Sequence, residues 1–192
     1  RRQELGVPGE AELAGRGVSY CATCDGPFFE ERKVAVVGGG DSAIEEALYL
    51  SALASTVYVI HRRDQLRANR TAQEKALAHP KLQFKFNRVV ERITGEGKLN
   101  SLLLKDTVTG EKEELPVDGV FISIGMKPAA DFVTGLTVQD GYIVTDEEMR
   151  TGVPGILAAG DIRHKTVRQV ATAVGDGAIA GLTATRLLEE SR

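Results

Sequence analysis

Tryptophan is absent from this chain, cysteine occurs twice, histidine occurs three times, and no apolar run approaches the length of a membrane span. Each scarcity excludes something. A bilayer-spanning helix needs about 20 consecutive apolar residues, so no membrane partner is expected. Two cysteines cannot build the multi-bridge framework of a small secreted domain. Nor can they complete a structural zinc site, which takes four Cys/His ligands. His61, His79 and His164 show no paired ligand spacing, and no metal is expected. The net charge is only −3, so no global attraction to nucleic acid is expected and any basic function has to be local. The N-terminus is charged and lacks the apolar core of a targeting peptide. A lone cysteine pair then points to a reducing, cytoplasmic setting. The first residue is Arg1, not Met, and the expectation is an excerpt or truncated product.

Apolar residues make up 42% of the 192 residues, enough to bury the core of one medium domain or two small ones. Lys33–Val37 reads as a buried parallel strand ended by Gly38-Gly39-Gly40. Asp41 to Leu53 has helical periodicity, with Ala43, Ala47, Leu50 and Ala54 on one face. Thr56–Ile60 reads as a second buried strand, which completes a βαβ unit. Arg67 to His79 is expected to be helical, with Asp64 as a helix-starting residue. Residues 82–94, 99–105 and 113–116 suggest a small antiparallel meander, and Val117–Ile124 another buried strand. Gly125 to Pro128 breaks the pattern, and a boundary or hinge is expected near Met126–Asp131. Beyond it, Tyr142-Ile143-Val144 alternates weakly and Gly155–Asp161 reads as a strand ending in Gly-Asp. Gln169 to Leu188 reads as a helix rich in small residues, suited to close packing on a sheet or a cofactor. The expected class is α/β: a Rossmann-like three-layer domain with an antiparallel meander over residues 1–127, followed over 128–192 by part of a second α/β domain.

Gly38-x-Gly40-x-x-Ala43 follows a strand and opens a helix, the context a dinucleotide fingerprint requires. The first glycine makes the turn, the second admits a pyrophosphate, and the small third residue lets helix and strand approach. Asp41 and Ser42 begin that helix, whose N-terminal N–H groups and dipole favour anions. The alternative is a plain strand–helix turn. An NAD site places Asp or Glu at the end of the second strand. Here the chain reads His61-Arg62-Arg63, with Arg67 further on. Guanidinium groups match a phosphate bidentately and keep their charge, so the 2′-phosphate of NADPH is the expected partner, against a solvated basic loop.

Cys21-x-x-Cys24 beside a βαβ unit points to thiol–disulfide exchange. Asp25 follows directly and reads either as proton donor and acceptor or as a turn cap. NADPH delivers two electrons as a hydride and a disulfide accepts two, with a flavin normally placed between them, so flavin contacts are expected in the C-terminal third.

Taken together, Cys21-Ala22-Thr23-Cys24-Asp25-Gly26, Gly38–Ala43 with Glu45-Glu46-Ala47, His61-Arg62-Arg63, Gly155–Asp161 and Arg168-Gln169-Val170 closely resemble the low-molecular-weight, prokaryotic-type thioredoxin reductases. The resemblance covers essentially the whole chain, and it implies that residues 1–127 are an NADPH-binding domain carrying the redox pair and residues 128–192 the C-terminal portion of an FAD-binding domain. It implies that Cys24 faces FAD, that Cys21 attacks the disulfide of thioredoxin, and that Asp25 is the acid/base. It further implies that Gly160 and Asp161 hold the ribityl chain of FAD, with Arg168, Gln169 and Val170 near its ring. A homodimer is implied, with an NADPH domain that swings about hinges at Gly125–Pro128 and near residues 1–6. Two departures stand out. The FAD segment that opens these proteins, with its own Gly-x-Gly-x-x-Gly, does not precede Cys21, and Val170 stands where Ala is common. Two rival readings remain open: a related flavin reductase for another disulfide or a peroxiredoxin partner, and a non-catalytic NADPH-binding module.

Overall fold

Runs of β-branched residues bounded by glycine build the centre of this protein. The computed structural model describes residues 2–125, 128–130 and 132–190, and the chain divides into two units, Arg2–Gly125 and Met126–Arg192. The expected boundary after residue 127 falls at Met126 and Lys127. These two, with Asp131 of the expected hinge segment and Arg1, lie outside the described residues.

In chain order the first unit comprises strand β1 (Val18–Ser19), helix α1 (Ala22–Asp25), β2 (Lys33–Val37), α2 (Asp41–Ser51), β3 (Thr56–Ile60), α3 (Arg70–Leu77), β4 (Leu82–Lys85), β5 (Arg88–Thr94), β6 (Ser101–Asp106), β7 (Lys112–Pro116) and β8 (Gly119–Ile122). A five-stranded sheet runs in the order β1-β8-β2-β3-β4, and every pairing in it is parallel. Strands β5, β6 and β7 form a separate antiparallel sheet.

Side chains alternate across the parallel sheet, as the strand period of two requires. Val34, Val36, Val57, Val59 and Phe121 face a core shared with Ala43, Ile44, Ala47 and Leu50 of α2 and Ala76 of α3. Ala35, Val37, Ile60, Val120 and Ile122 face the opposite way and meet Val90, Leu102, Leu104 and Leu115 of the meander. Helices, parallel sheet and antiparallel sheet are therefore three layers over two cores. Burying each Val, Leu or Ile contributes roughly 1.5–3 kcal/mol.

Several boundaries differ from expectation. Arg67 and Ala68 are not helical, because their N–H groups both donate to Gly39 O, at 2.6 and 3.1 Å. The helix begins after Asn69, whose Oδ1 accepts from Ala72 N at 2.9 Å. Asp64 lies in the preceding loop and starts no helix. Residues 82–94 split in two: β4 extends the parallel sheet, with Leu82 in the helix-side core. The chain turns at Asn87, where φ is 52°, and β5 then enters the meander.

The second unit holds a hairpin, β9 (Val138–Gln139) and β10 (Tyr142–Ile143), and helix α4 (Val170–Glu190). Asp140 and Gly141 close the hairpin with φ of 53° and 82°, the left-handed pair that a two-residue hairpin turn demands. The strand expected at Gly155–Asp161 does not form. Leu157 makes one isolated bridge to Arg150, and Gly160–Ile162 is a 3-10 turn. An apolar run becomes a strand only when a neighbour takes its N–H and C=O groups, and among the described residues no strand lies alongside. Among the described residues no helix is long and apolar enough to cross a membrane.

Gly119, at the start of β8, has no room for a side chain: an added Cβ would stand 2.4 Å from the Phe29 ring. That ring packs edge-on against Phe121, with centroids 5.4 Å apart. Gly119→Ala should lower unfolding stability by about 1–3 kcal/mol through overpacking. Denaturant titration checks this, and an unchanged midpoint would contradict the packing described.

Candidate active site

The carboxyl ends of parallel strands all point to one edge, so the loops that leave them are neighbours. Cys21 follows β1, Gly38 follows β2, His61 follows β3 and Ser123 follows β8. Strand β8 lies between β1 and β2, so the cysteine turn and the glycine turn leave the edge two strand spacings apart, about 10 Å.

Cys21 and Cys24 are joined by a disulfide, with Cα atoms 5.3 Å apart. Helix α1 carries Ala22, Thr23 and Cys24 as its first turn, and Cys21 is its N-cap. The Cys24 and Asp25 N–H groups both donate to Cys21 O, at 3.2 and 3.1 Å. Cys24 is exposed and Cys21 half-buried. The Asp25 side chain caps nothing; it accepts a 2.7 Å hydrogen bond from the buried Ser19 hydroxyl. One residue before the pair, Tyr20 donates to Glu10 Oε1 at 2.9 Å, and the Arg2 guanidinium lies 3.7 Å from its ring centre. Burial first, then the Glu10 bond, pushes the Tyr20 hydroxyl up to about 12. Glu10 also accepts from Leu5 N and Gly6 N at 3.0 and 2.7 Å. The approach to the cysteines is thereby pinned.

The dinucleotide turn is built by close approach. A Cβ at Gly38 would meet Ser123 O at 2.3 Å and Ala43 Cβ at 2.6 Å, and one at Gly39 would strike the His61 ring at 2.3 Å. Nothing stands within 4 Å of a Cβ at Gly40. The turn is rigid on its protein side and open on the other. Gly38, Gly39, His61, Arg62, Arg67 and Ser123 also line a crevice of about 300 Å³, walled on the meander side by Val89 and Val90. It lies where strand order reverses, between β2 and β8, the position at which open parallel sheets take ligands.

Arg62, Arg63 and Arg67 are exposed, and among the described residues none has an ion-pair partner. Arg88, in the same crevice wall, is by contrast paired with Asp106 and Glu113. Burial, with Arg67, Arg62 and Arg63 adding to it, holds His61 below the usual histidine range. Its Nε2 is buried without a hydrogen-bond partner among the described residues. An orphaned ring nitrogen, an open glycine turn and three uncompensated guanidinium groups fit a phosphorylated nucleotide. Ser42 is exposed at the helix start. Asp41 has a job inside the protein: its Oδ1 accepts from Asn69 N and Nδ2 at 2.7 and 2.8 Å, bonds that hold its carboxyl below the ordinary range.

Sequence reasoning passed over Ser19, Gly39, Ser123 and Glu46. The middle glycine and Glu46 stood inside recognised motifs without a role; Ser19 and Ser123 carry no local signal. Glu46, on α2, bonds Ser123, and burial pushes it up to about 7. Its Oε2 is buried with no hydrogen-bond partner among the described residues.

In the second unit, Asp176 of α4 organises the Gly160–Asp161 turn. It accepts from Gly160 N at 3.0 Å, Arg163 Nη1 at 2.8 Å and Lys165 Nζ at 2.9 Å. Burial opposes its ionisation, but these bonds outweigh burial and keep its carboxyl below the usual range. Gly160 has φ of 81°, and Asp161 is exposed with Lys165 Nζ 3.8 Å away. The Arg168 guanidinium lies 3.8 Å from the Tyr142 ring centre, and its Nε is buried without a partner. Gln169 and Val170 are exposed. The orphaned Arg168 nitrogen and the accessible Asp161 fit part of a polar cofactor site. Among the described residues no group of His, Cys, Asp or Glu could hold a metal ion.

A family model for pyridine nucleotide-disulphide oxidoreductases matches residues 1–177. A thioredoxin reductase of Listeria innocua is 53% identical over 191 residues, covering 98% of this chain and 60% of that protein. One from Bacillus subtilis is 51% identical over the same shares. The chain thus spans about 60% of the length of these curated relatives. Among solved structures, thioredoxin reductase from Streptococcus pyogenes superposes with a TM-score of 0.88 at 48% identity, covering 99% of this chain and 63% of that one.

Glu46 binds its proton more tightly folded than unfolded, with a pKa raised from 4.5 to about 7. Its contribution to stability is therefore full below pH 4.5 and is lost as pH rises through 7. Glu46→Gln should flatten that decline, by on the order of 1–2 kcal/mol at pH 8 once screening of a partly exposed group is allowed for. Denaturation midpoints between pH 5 and pH 8 test this; parallel curves for both proteins would refute it.

Proposed function

Because this chain belongs to the pyridine nucleotide-disulphide oxidoreductase family, we propose that it forms the nucleotide-binding and dithiol half of an NADPH-dependent thioredoxin reductase. The observation that carries the proposal is the shared edge: a Cys21–Cys24 disulfide and a glycine turn flanked by three unpaired arginines leave one parallel sheet.

The 2′-phosphate of NADPH is held by Arg62, Arg63 and Arg67, and its pyrophosphate by the open side of Gly38–Gly40 at the start of α2. FAD is held in part by Asp161, with Arg168, Gln169 and Val170 at the start of α4. When bound, the flavin supplies the two-electron link between nicotinamide and disulfide. Cys24 would receive the electrons that the bound flavin supplies, and Cys21 would attack the substrate disulfide.

In the reduced pair, Asp25 takes the Cys21 proton. The Cys21 thiolate attacks the thioredoxin disulfide: a Cys21–thioredoxin S–S bond forms and the thioredoxin S–S bond breaks. The leaving thiolate takes the proton back from Asp25. Asp25 then takes the Cys24 proton, and the Cys24 thiolate attacks the Cys21 sulfur, restoring the Cys21–Cys24 bond. The second thioredoxin thiolate leaves and takes that proton. Two electrons and two protons pass from the dithiol to thioredoxin. The working form is a homodimer in the cytoplasm, as the family resemblance implies.

Two outcomes test the reading in the flavin-loaded holoenzyme. Replacing Arg62 and Arg63 with Gln should weaken NADPH binding on the order of 10- to 100-fold per lost charged contact and shift preference toward NADH; titration with both nucleotides decides, and unchanged NADPH affinity refutes the assignment. Cys24→Ser should abolish thioredoxin turnover while NADPH still bleaches the flavin. Equal loss of both activities would count against the role given to Cys24.

A further inference from the structure

We propose that Ser19 is a positioning residue for the thiol–disulfide exchange, its hydroxyl holding the Asp25 carboxyl and the Cys21 backbone in one arrangement. The proposal rests on the reading of Asp25 as the acid/base.

Ser19 ends β1, opposite Phe121 of β8, and is only 4% exposed. Its strand neighbour Val18 is an ordinary core residue. A hydroxyl buried there costs free energy unless it is bonded. Among the described residues, every hydrogen bond of its hydroxyl goes to the redox turn. Ser19 Oγ donates to Asp25 Oδ2 at 2.7 Å and accepts from Cys21 N at 3.1 Å. It also lies 3.4 Å from Cys21 O. A hydroxyl has one proton, and the much shorter contact claims it for Asp25.

The consequence is chemical. Among the described residues no other group bonds the Asp25 carboxyl. Ser19 therefore fixes Oδ2 and leaves Oδ1 free to exchange a proton with a thiol. The same oxygen anchors the N–H of Cys21, whose carbonyl in turn holds the N–H groups of Cys24 and Asp25. One buried hydroxyl thus couples the acid/base to the backbone of the sulfur it serves. Asp25 moves a proton in each of the two exchange steps, so a carboxyl free to rotate would be misplaced twice per turnover. Proton transfer by a positioned group contributes typically 100- to 10,000-fold, and loss of orientation forfeits part of that.

The test is a double-mutant cycle in the flavin-loaded holoenzyme with oxidised thioredoxin as substrate. Ser19→Ala, Asp25→Asn and the double variant are compared for kcat, KM and the separate rate at which NADPH bleaches the flavin. Ser19→Ala should lower kcat roughly 10-fold, with KM and flavin bleaching unchanged, and should add nothing in the Asp25→Asn background. Ser19→Thr, which keeps the hydroxyl, should restore most of the rate. Ser19→Gly serves as a second hydroxyl-free variant should Ser19→Ala lose flavin or fold. Multiplicative losses in the double variant, or a hydroxyl-free variant with full kcat, would overturn the positioning role while Asp25 keeps its own. An Asp25→Asn enzyme with full kcat would instead overturn the acid/base reading, and the positioning role with it.

Discussion

The parallel sheet of the first unit is the constraint on which the rest depends. Parallel strands need crossovers that return the chain to the same end, so every connection leaving a carboxyl end meets its neighbours on one edge. In the order β1-β8-β2-β3-β4 that edge gathers the cysteine turn, Ser123, the glycine turn and His61. The contacts are tight enough to set residue identity. Gly38 has a carbonyl and Ala43 against it, and Gly39 has the His61 ring. A larger side chain at either would push β2 from α2 or the glycine turn from the β3 loop. Alternation along the same strands supplies both cores, so the stability of the unit and the geometry of the edge arise from one set of residues.

Two kinds of electrostatic environment share this edge. At the crevice, cations outnumber their partners: Arg62, Arg63 and Arg67 stand exposed, and His61 is kept neutral by burial and by the charges beside it. Such a site attracts an anion and offers little to a cation. At the cysteine turn the charges are few and each is bonded: Asp25 to Ser19, and Glu10 to Tyr20 and two backbone N–H groups. On α2, burial raises Glu46 to about 7, against the opposing influence of Ser123. The second unit repeats the logic of a bonded carboxylate. Asp176 ties α4 to Gly160 and balances Arg163 and Lys165.

Much of this was legible in the sequence. Lys33–Val37 and Thr56–Ile60 form strands with the expected bounds, because short β-branched runs closed by glycine or a charge leave little choice. The start of the helix after Gly40 was equally plain; its end at Ser51 instead of Leu53 is ordinary fraying. Errors came where a distant group took a backbone bond that local pattern had assigned elsewhere. Gly39 O captures Arg67 and Ala68 and delays α3. Leu82 pairs with Val57 and so joins the parallel sheet, not the meander. Gly155–Asp161 has strand composition, yet only Leu157 finds even a single bridge. The Asp140-Gly141 hairpin carried a usable signal, an Asp-Gly pair between Val138-Gln139 and Tyr142-Ile143, which was passed over.

The sequence by itself determined which chemistries this protein carries. Cys21 and Cys24, Gly38 to Ala43, and Arg62 with Arg63 each lie within a turn or two of chain, where spacing along the backbone is already spacing in space. Tertiary structure alone decided how those pieces are arranged and served. The shared edge exists because β8, arriving from residue 119, inserts between β1 and β2. The bond from Ser19 to Asp25 exists because a strand end and a short helix turn are folded against each other. Glu46 is held near neutrality by burial that no neighbour in sequence imposes. Hydrogen bonding and desolvation act through space, and no local pattern records which residues the chain brings together.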